Sequence, residues 1–597
     1  MGKLSRNQQK EVTDALELRR QLTADYSRGV LNKRDLLKIG LLTGGAITLP
    51  REGSLAAALT PPALFAVEVS PPTVPFVEPL PIPPVKQPVA SLSPAPTQAP
   101  NTGAGEGRTK PHQAWTSAPP QKYYDVRQKL ALVDVGPGLP IQNMWGFDGI
   151  FPGPTYIARY GEPMLVRNFN ELPVPGQNGG FGIPSVSTHL HNGHTPSESD
   201  GYPCDFFSPY FSGTGNGAFY DHHYPNVLAG GDPLESMGTL WYHDHRVDFT
   251  AQNVYKGLAG FFLMFNTQDT GDETTGFRLP APYAVHDIPM MFNDKVFDAN
   301  TGQLFFDLAN LDGILGDKFL VNGKVQPFFT VSPRRYRFRW LNGGPSRFYQ
   351  LFFTDANNLN ASVPFWQIAG DGNLLPNPLQ MTSVSLGVAE RADVVMDFTG
   401  MAGKTFYIEN RLIQTNGRGP TRRLTAAGQG NLLLKIQVTG PAVTDNSLPL
   451  SASTTFYSLP PASRSEARIT RTFKFDRAGG QWVVNRKVMQ CGVTRLRVKR
   501  NTAEIWVLQN SGNWAHPVHI HFEEFQMLTR NGATPPVGER GRKDVVRLLT
   551  GDTVELFFRF RDFTGLYPMH CHNLIHEDHA MMLQWEIDDA GDNVTNP

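Results

Sequence analysis

The stretch from Asn143 to Asn170 reads NMWGFDGIFPGPTYIARYGEPMLVRNFN: a Gly/Pro turn, a run of alternating apolar residues, another turn and a strand closing on asparagine. Apolar alternation with a period of two, punctuated by Gly and Pro, marks β-strands that bury one face. From Phe319 to Asn342 the same order of turns and strands returns as FLVNGKVQPFFTVSPRRYRFRWLN, and its second half recurs before Asn510 as VTRLRVKRNTAEIWVLQN. Three related units account for the length of the chain better than three unrelated folds. Each reads as a small antiparallel β-sandwich, and the body as nearly all β, because long amphipathic helical patterns are scarce after the N-terminal region. The units are placed at 112–275, 280–440 and 450–597.

With 597 residues the chain is too long for one core, and its 54 basic and 54 acidic residues balance. That balance offers no electrostatic case for nucleic acid or an anionic membrane. Residues 1–58 differ from the rest. A charged lead is followed by apolar Leu36 to Pro50, too short to span a bilayer comfortably, and then by Ala56, Ala57 and Ala58 as a small-residue cleavage site. The order resembles a twin-arginine export signal with Lys33-Arg34 in place of Arg-Arg. An ordinary secretory signal or an uncleaved anchor are the alternatives. The expectation is therefore use of the export machinery and a periplasmic, extracellular or cell-envelope location. Residues 59–111 are rich in Pro, Ala, Val and Ser and read as an extended tether or a strap over the body, with Phe65, Phe76 and Val77 available for docking. Arg411 to Gly430 reads as loop and 446–464 as linker. The loop's arginines read as solvated, a substrate contact being the other reading.

The chemistry concentrates near the C-terminus, where Tyr567 to Met582 reads YPMHCHNLIHEDHAMM. A thiol, several imidazoles and thioethers form a soft-to-borderline donor set that suits copper. Neighbouring side chains of an extended segment point to opposite faces, so Cys571 faces one way while His570 and His572 face the other. One segment can thus serve two metal centres. His576 and Met581 follow at spacings that let a loop return over the sulfur, and a second imidazole must come from elsewhere.

Upstream, THLHNGH supplies His189 and His191, two apart and on one face of a strand, while His194 falls beyond the Asn-Gly turn and reads as an outer or exposed residue. LWYHDHR repeats the spacing with His243 and His245. Asp244 points away. The second unit offers only His286, which reads as structural. In the third, NWAHPVHIHF supplies His516, His519 and His521, with Pro517 turning the chain so that His516 faces elsewhere. His516, Cys571, His576 and Met581 then make one site. Eight imidazoles remain in four H-x-H pairs, a number suited to three close coppers sharing them as two, three and three at the interface of the first and third units.

These four ordered motifs, with DGNLLP from Asp371 and AERADVVMDF from Ala389, resemble the multicopper oxidase family, and within it the bacterial spore-coat laccase and bilirubin oxidase group. The resemblance implies three cupredoxin-like Greek-key β-sandwich domains and four copper ions. It puts type 1 copper on His516, Cys571, His576 and axial Met581, type 2 copper on His189 and His519, and the type 3 pair on His191, His243, His245, His521, His570 and His572. Electrons from a small-molecule or metal-ion reductant would pass through Cys571 to a cluster that reduces O2 to water. Glu577 and Asp200 stand where the resembling enzymes carry proton-relay carboxylates, although either could simply accept an imidazole N–H. The reductants implied are phenols, aromatic amines or tetrapyrroles. A metallo-oxidase of Cu(I), Mn(II) or Fe(II) is the alternative enzyme, and a copper-binding protein without catalysis the alternative of another class. Cys204 and Cys491 either form a disulfide between the first and third units, as an exported protein allows, or remain buried thiols.

Overall fold

The computed structural model describes residues 69–174, 176–210, 217–308 and 310–597, so the expected export segment at 1–58 and Phe65 lie outside the described residues. Among the described residues, six β-sheets pair into three sandwiches. In the first, Lys122–Val133, Gln142–Phe147, Met164–Glu171 and Phe219–Tyr224 form one sheet, and Gly153–Arg159, Thr188–His191, Thr239–Asp244 and Ala259–Phe265 form the other. Their inner faces share a core containing Trp145, Tyr156, Val166, Leu240 and Phe262. Equivalent cores hold Phe338, Trp340, Phe353 and Ile408 in the second sandwich and Trp506, Val518, Phe558 and Trp585 in the third. The period-two pattern is what fills them. In Ala467–Ala478, for example, Phe473 and Phe475 are buried and Lys474 between them is exposed. Burying one such phenylalanine contributes about 1.5–3 kcal/mol.

Each sandwich departs from the antiparallel expectation at two places. Lys122–Val133 runs parallel to Met164–Glu171, and Gly153–Arg159 parallel to Ala259–Phe265. The second sandwich repeats this with Asp287–Phe297 beside Arg335–Asn342 and Phe328–Val331 beside Asn431–Val438. The third does so with Ala467–Ala478 beside Thr502–Asn510 and Thr494–Lys499 beside Met582–Asp588. The cause lies in the connections: the chain crosses to the opposite sheet before returning, and re-enters the first sheet in its original direction.

Residues 69–111 are a strap. They touch the body through isolated bridges at Pro79 with Phe328, Val85 with Thr155, Val89 with Tyr123 and Glu106 with Phe219. The Phe76 ring lies 5.2 Å from that of Tyr407, while Val77 remains exposed. Cys204 and Cys491 form a disulfide that ties the first sandwich to the third across 287 residues of sequence. The same interface is reinforced where the Asp578 carboxylate accepts the Ala251 N–H at 3.2 Å. The loop from Arg411 leaves the second sandwich and lies on the third, where the Ala515 N–H donates to the Arg418 carbonyl at 2.7 Å.

Candidate metal centre

Strand register brings the histidines together. Thr188–His191 pairs with Thr239–Asp244 so that His189 opposes His243, and His516–Ile520 pairs with Gly565–Cys571 so that His519 opposes His570 and Val518 opposes Cys571. Cross-strand partners share a face, so His519 and His570 look to one side and Val518 and Cys571 to the other. Where the first and third sandwiches meet, His189 Nε2 and His519 Nε2 are 3.3 Å apart. The Nε2 atoms of His245, His521 and His570 form a triangle with sides of 3.1, 3.2 and 3.3 Å. Its centre is roughly 1.9 Å from each nitrogen, close to the ~2.0 Å of a metal–imidazole bond. The rings of His191, His243 and His572 lie 5.2–5.7 Å from one another. His191 Nδ1, His243 Nε2 and both nitrogens of His572 are buried without a hydrogen-bond partner.

On the opposite face, Cys571 Sγ is 3.4 Å from His516 Nδ1 and 3.6 Å from His576 Nδ1, and those nitrogens are 3.2 Å apart. Met581 is buried in the same core, and its carbonyl accepts the Cys571 N–H at 3.0 Å. Pro517 does not turn the chain as the sequence suggested. It lies inside strand His516–Ile520, opposite Arg547. His516 faces away from His519 simply because their positions along the strand differ by three, an odd number.

The remaining histidines stay apart from these groups. His194 is buried rather than exposed, and its Nε2 lies 2.8 Å from Asp562 Oδ2, a hydrogen bond between the first and third units. His222 Nδ1 bonds Asn168, His223 donates to the Ala118 carbonyl, His286 to that of Ala281 and His579 to that of Ile575.

What orients the imidazoles explains their readiness for metal. The Nδ1 atoms of His189, His243 and His519 donate to the carbonyls of Asp200, Asp244 and Asp544 at 2.5, 2.8 and 2.9 Å, and His521 Nδ1 donates to Asp200 Oδ2 at 2.7 Å. These bonds set the tautomer and leave the Nε2 lone pair inward. The Glu577 carboxylate lies 3.0 Å from His245 Nδ1 and 3.1 Å from His570 Nδ1. His191 is reversed: its Nε2 lies 3.2 Å from Asp544 Oδ1, which leaves Nδ1 as the donor atom. Burial holds the His189, His191, His519, His521, His572 and His576 imidazoles well below their ordinary range, and His243 and His516 at about 3. They are therefore neutral donors at pH 7. Burial pushes the Cys571 thiol far above its usual value, so a thiolate there needs a cation against it. Unpartnered nitrogens, neutral rings and a thiol that calls for a cation together fit copper.

Two supports went unread in the sequence. Asn573 caps helix Leu574–Asp578 through Ile575 N, accepts from Ser346 Oγ at 2.8 Å and lies 3.2 Å from His576 Nε2, which itself donates to the Asp312 carbonyl at 3.0 Å. An Asn directly before a short apolar run is an N-cap signal that could have found it. Asp544 is held by both terminal guanidinium nitrogens of Arg391, and next to it Lys543 pairs with Asp371 at 2.6 Å and Glu390 at 2.9 Å. Because 153 residues separate Arg391 from Asp544, no local pattern marks the pair. The second sandwich, which offers no imidazole to the cluster, thus clamps it. Asp544→Asn is expected to weaken copper retention about 10–100-fold, as loss of a partner orienting a metal-bound histidine does. A chelator titration monitored by copper content measures it, and unchanged retention would remove Asp544 from the site.

Comparison with known proteins gives the family. The multicopper oxidase family profile matches residues 459–591. The chain is 33% identical over 538 residues to the bilirubin oxidase of Albifimbria verrucaria, covering 88% of this chain and 84% of that protein. It is 30% identical over 516 residues to a laccase of Bacillus subtilis, covering 78% and 94%. A crystal structure of a laccase from Pediococcus acidilactici superposes with a TM-score of 0.67 at 25% identity, over 87% of this chain and 95% of that one. The chain belongs to the multicopper oxidase family, with three cupredoxin-like sandwiches. It is a copper-dependent oxidoreductase with O2 as acceptor.

Proposed function

We propose that the protein is a laccase-like oxidase that takes single electrons from phenols, aromatic amines or tetrapyrroles and holds four copper ions: one at His516, Cys571, His576 and Met581, one at His189 and His519, and two among His191, His243, His245, His521, His570 and His572. The observation that carries the reading is Cys571 itself. Its sulfur lies among the first group, while its peptide neighbours His570 and His572 reach into the second. Bound copper supplies one-electron chemistry beside the thiolate and the reduction of O2 among the imidazoles. The chain's own contribution is a short covalent path through Cys571 and two carboxylates against the cluster's imidazoles. Glu577, between His245 and His570, and Asp200, against His521, are the proposed proton-relay carboxylates. Export to an oxidising compartment is part of the proposal, and the Cys204–Cys491 disulfide supports it.

The test is anaerobic reduction by a phenol followed by admission of O2, with copper analysis alongside. The blue absorption should bleach and then return as O2 is consumed. A band that phenol does not bleach, or that O2 does not restore, refutes the proposal.

A further inference from the structure

Two aromatic rings lead outward from His576, whose Nδ1 lies 3.6 Å from Cys571 Sγ. His576 is fully buried, and Trp482, also fully buried, stacks on it with ring centroids 3.8 Å apart. Trp514, partly exposed, meets Trp482 edge-on at 5.1 Å. Two guanidinium groups lie over Trp514: Arg418 at 5.0 Å and Arg477 at 5.2 Å from the ring centroid. Their surroundings differ. Arg477 is paired with Asp312 at 3.2 Å, on the residue whose carbonyl receives the His576 N–H. Asp476, the other acid nearby, accepts from Ser511 Oγ at 2.9 Å. Arg418 is exposed, and among the described residues no carboxylate lies within ion-pairing distance of it.

The Arg418 backbone is nonetheless held in place. Its N–H donates to Asn416 Oδ1 at 3.0 Å and its carbonyl accepts from Ala515, the residue before His516. Gly419, at φ +126°, packs so closely on Ala515 that an added Cβ would come within 2.6 Å of the alanine Cβ. A cation without a carboxylate partner is thus anchored beside the strand that carries His516, over the partly exposed indole of Trp514.

We propose that Trp514 and Arg418 form the docking platform for the reductant and select aromatic rings that bear a carboxylate or sulfonate. This rests on the oxidase reading above. The ring lies on the indole, within contact of the path through Trp482 to His576, and the oxyanion takes the Arg418 fork. Each phenol gives up one electron to the thiolate site and its hydroxyl proton to water. Four phenols, through four such losses, convert one O2 and four protons to two H2O.

The experiment uses the full copper-loaded chain with syringate and its methyl ester, which share a phenol and differ in charge. Arg418→Ala should lower the ratio of kcat/KM for acid over ester about fivefold, the size of one partly screened charge contact. Arg418→Lys should keep part of that ratio, and added salt should erode it in the wild type. Calorimetry under argon with 3,5-dimethoxybenzoate and its methyl ester gives a readout independent of turnover, and only binding of the acid should weaken in Arg418→Ala. An unchanged acid-to-ester ratio in Arg418→Ala, or equal weakening of both ligands, overturns the platform and leaves the oxidase reading standing. O2 uptake with neither phenol overturns the oxidase reading and the platform with it.

Discussion

Cys571→Ser is expected to abolish the blue absorption and bring turnover to the limit of detection. The side chain changes little in size, and strand pairing of His519 with His570 and of Val518 with residue 571 is made by backbone atoms that the substitution leaves alone. What is lost is the soft sulfur 3.4 and 3.6 Å from the two Nδ1 atoms, in place of which stands a hard oxygen that copper favours far less. His570 and His572 keep their positions, so the imidazole cluster should still load, and of the four proposed ions about one should be lost. Two measurements decide the outcome: the visible spectrum and the metal stoichiometry. A variant that stays blue, or that still oxidises phenols at the wild-type rate, would show that electrons do not enter through this sulfur.

Glu577→Gln should separate electron entry from O2 reduction. The carboxylate lies within 3.1 Å of both His245 Nδ1 and His570 Nδ1. Burial would raise its pKa, but His570 and His245 hold it well below the usual carboxylate range, so it is an ionised acceptor between two imidazoles. An amide of the same shape can accept from one ring but cannot carry a proton. The expected effect is a loss of about 10²-fold or more in the rate of O2 reduction, the range typical of a missing acid–base group that takes up a proton and passes it on. The blue band should persist, since the sulfur's partners His516 and His576 are untouched. Copper content must be read on the same sample: turnover equal to wild type would exclude the relay, and loss of cluster copper would make Glu577 a support for the rings instead.

Much of the site was legible because strand geometry is local. Side chains alternate at every residue, so H-x-H had to present two imidazoles on one face and H-C-H had to split thiol from imidazoles. The same rule, applied to the three-residue spacing of His516 and His519, would have made a turn at Pro517 unnecessary. The supports were not legible. Asp544 reaches the cluster through Arg391, and His576 is fixed through the carbonyl of Asp312, contacts that exist only after separate sandwiches pack. Arg418 looked like one solvated arginine in a polar loop, and nothing in TNGRGPTRR places it over Trp514.

By itself the sequence determined three β-units, the donor chemistry and the face each donor takes, because propensity, period and ligand softness are properties of neighbouring residues. Only the tertiary structure decided the parallel pairs, the docked strap, the disulfide and the meeting of His189 with His519 across 330 positions. Those depend on how finished sandwiches bury surface against one another, and that packing brings together residues whose distance along the chain carries no signal.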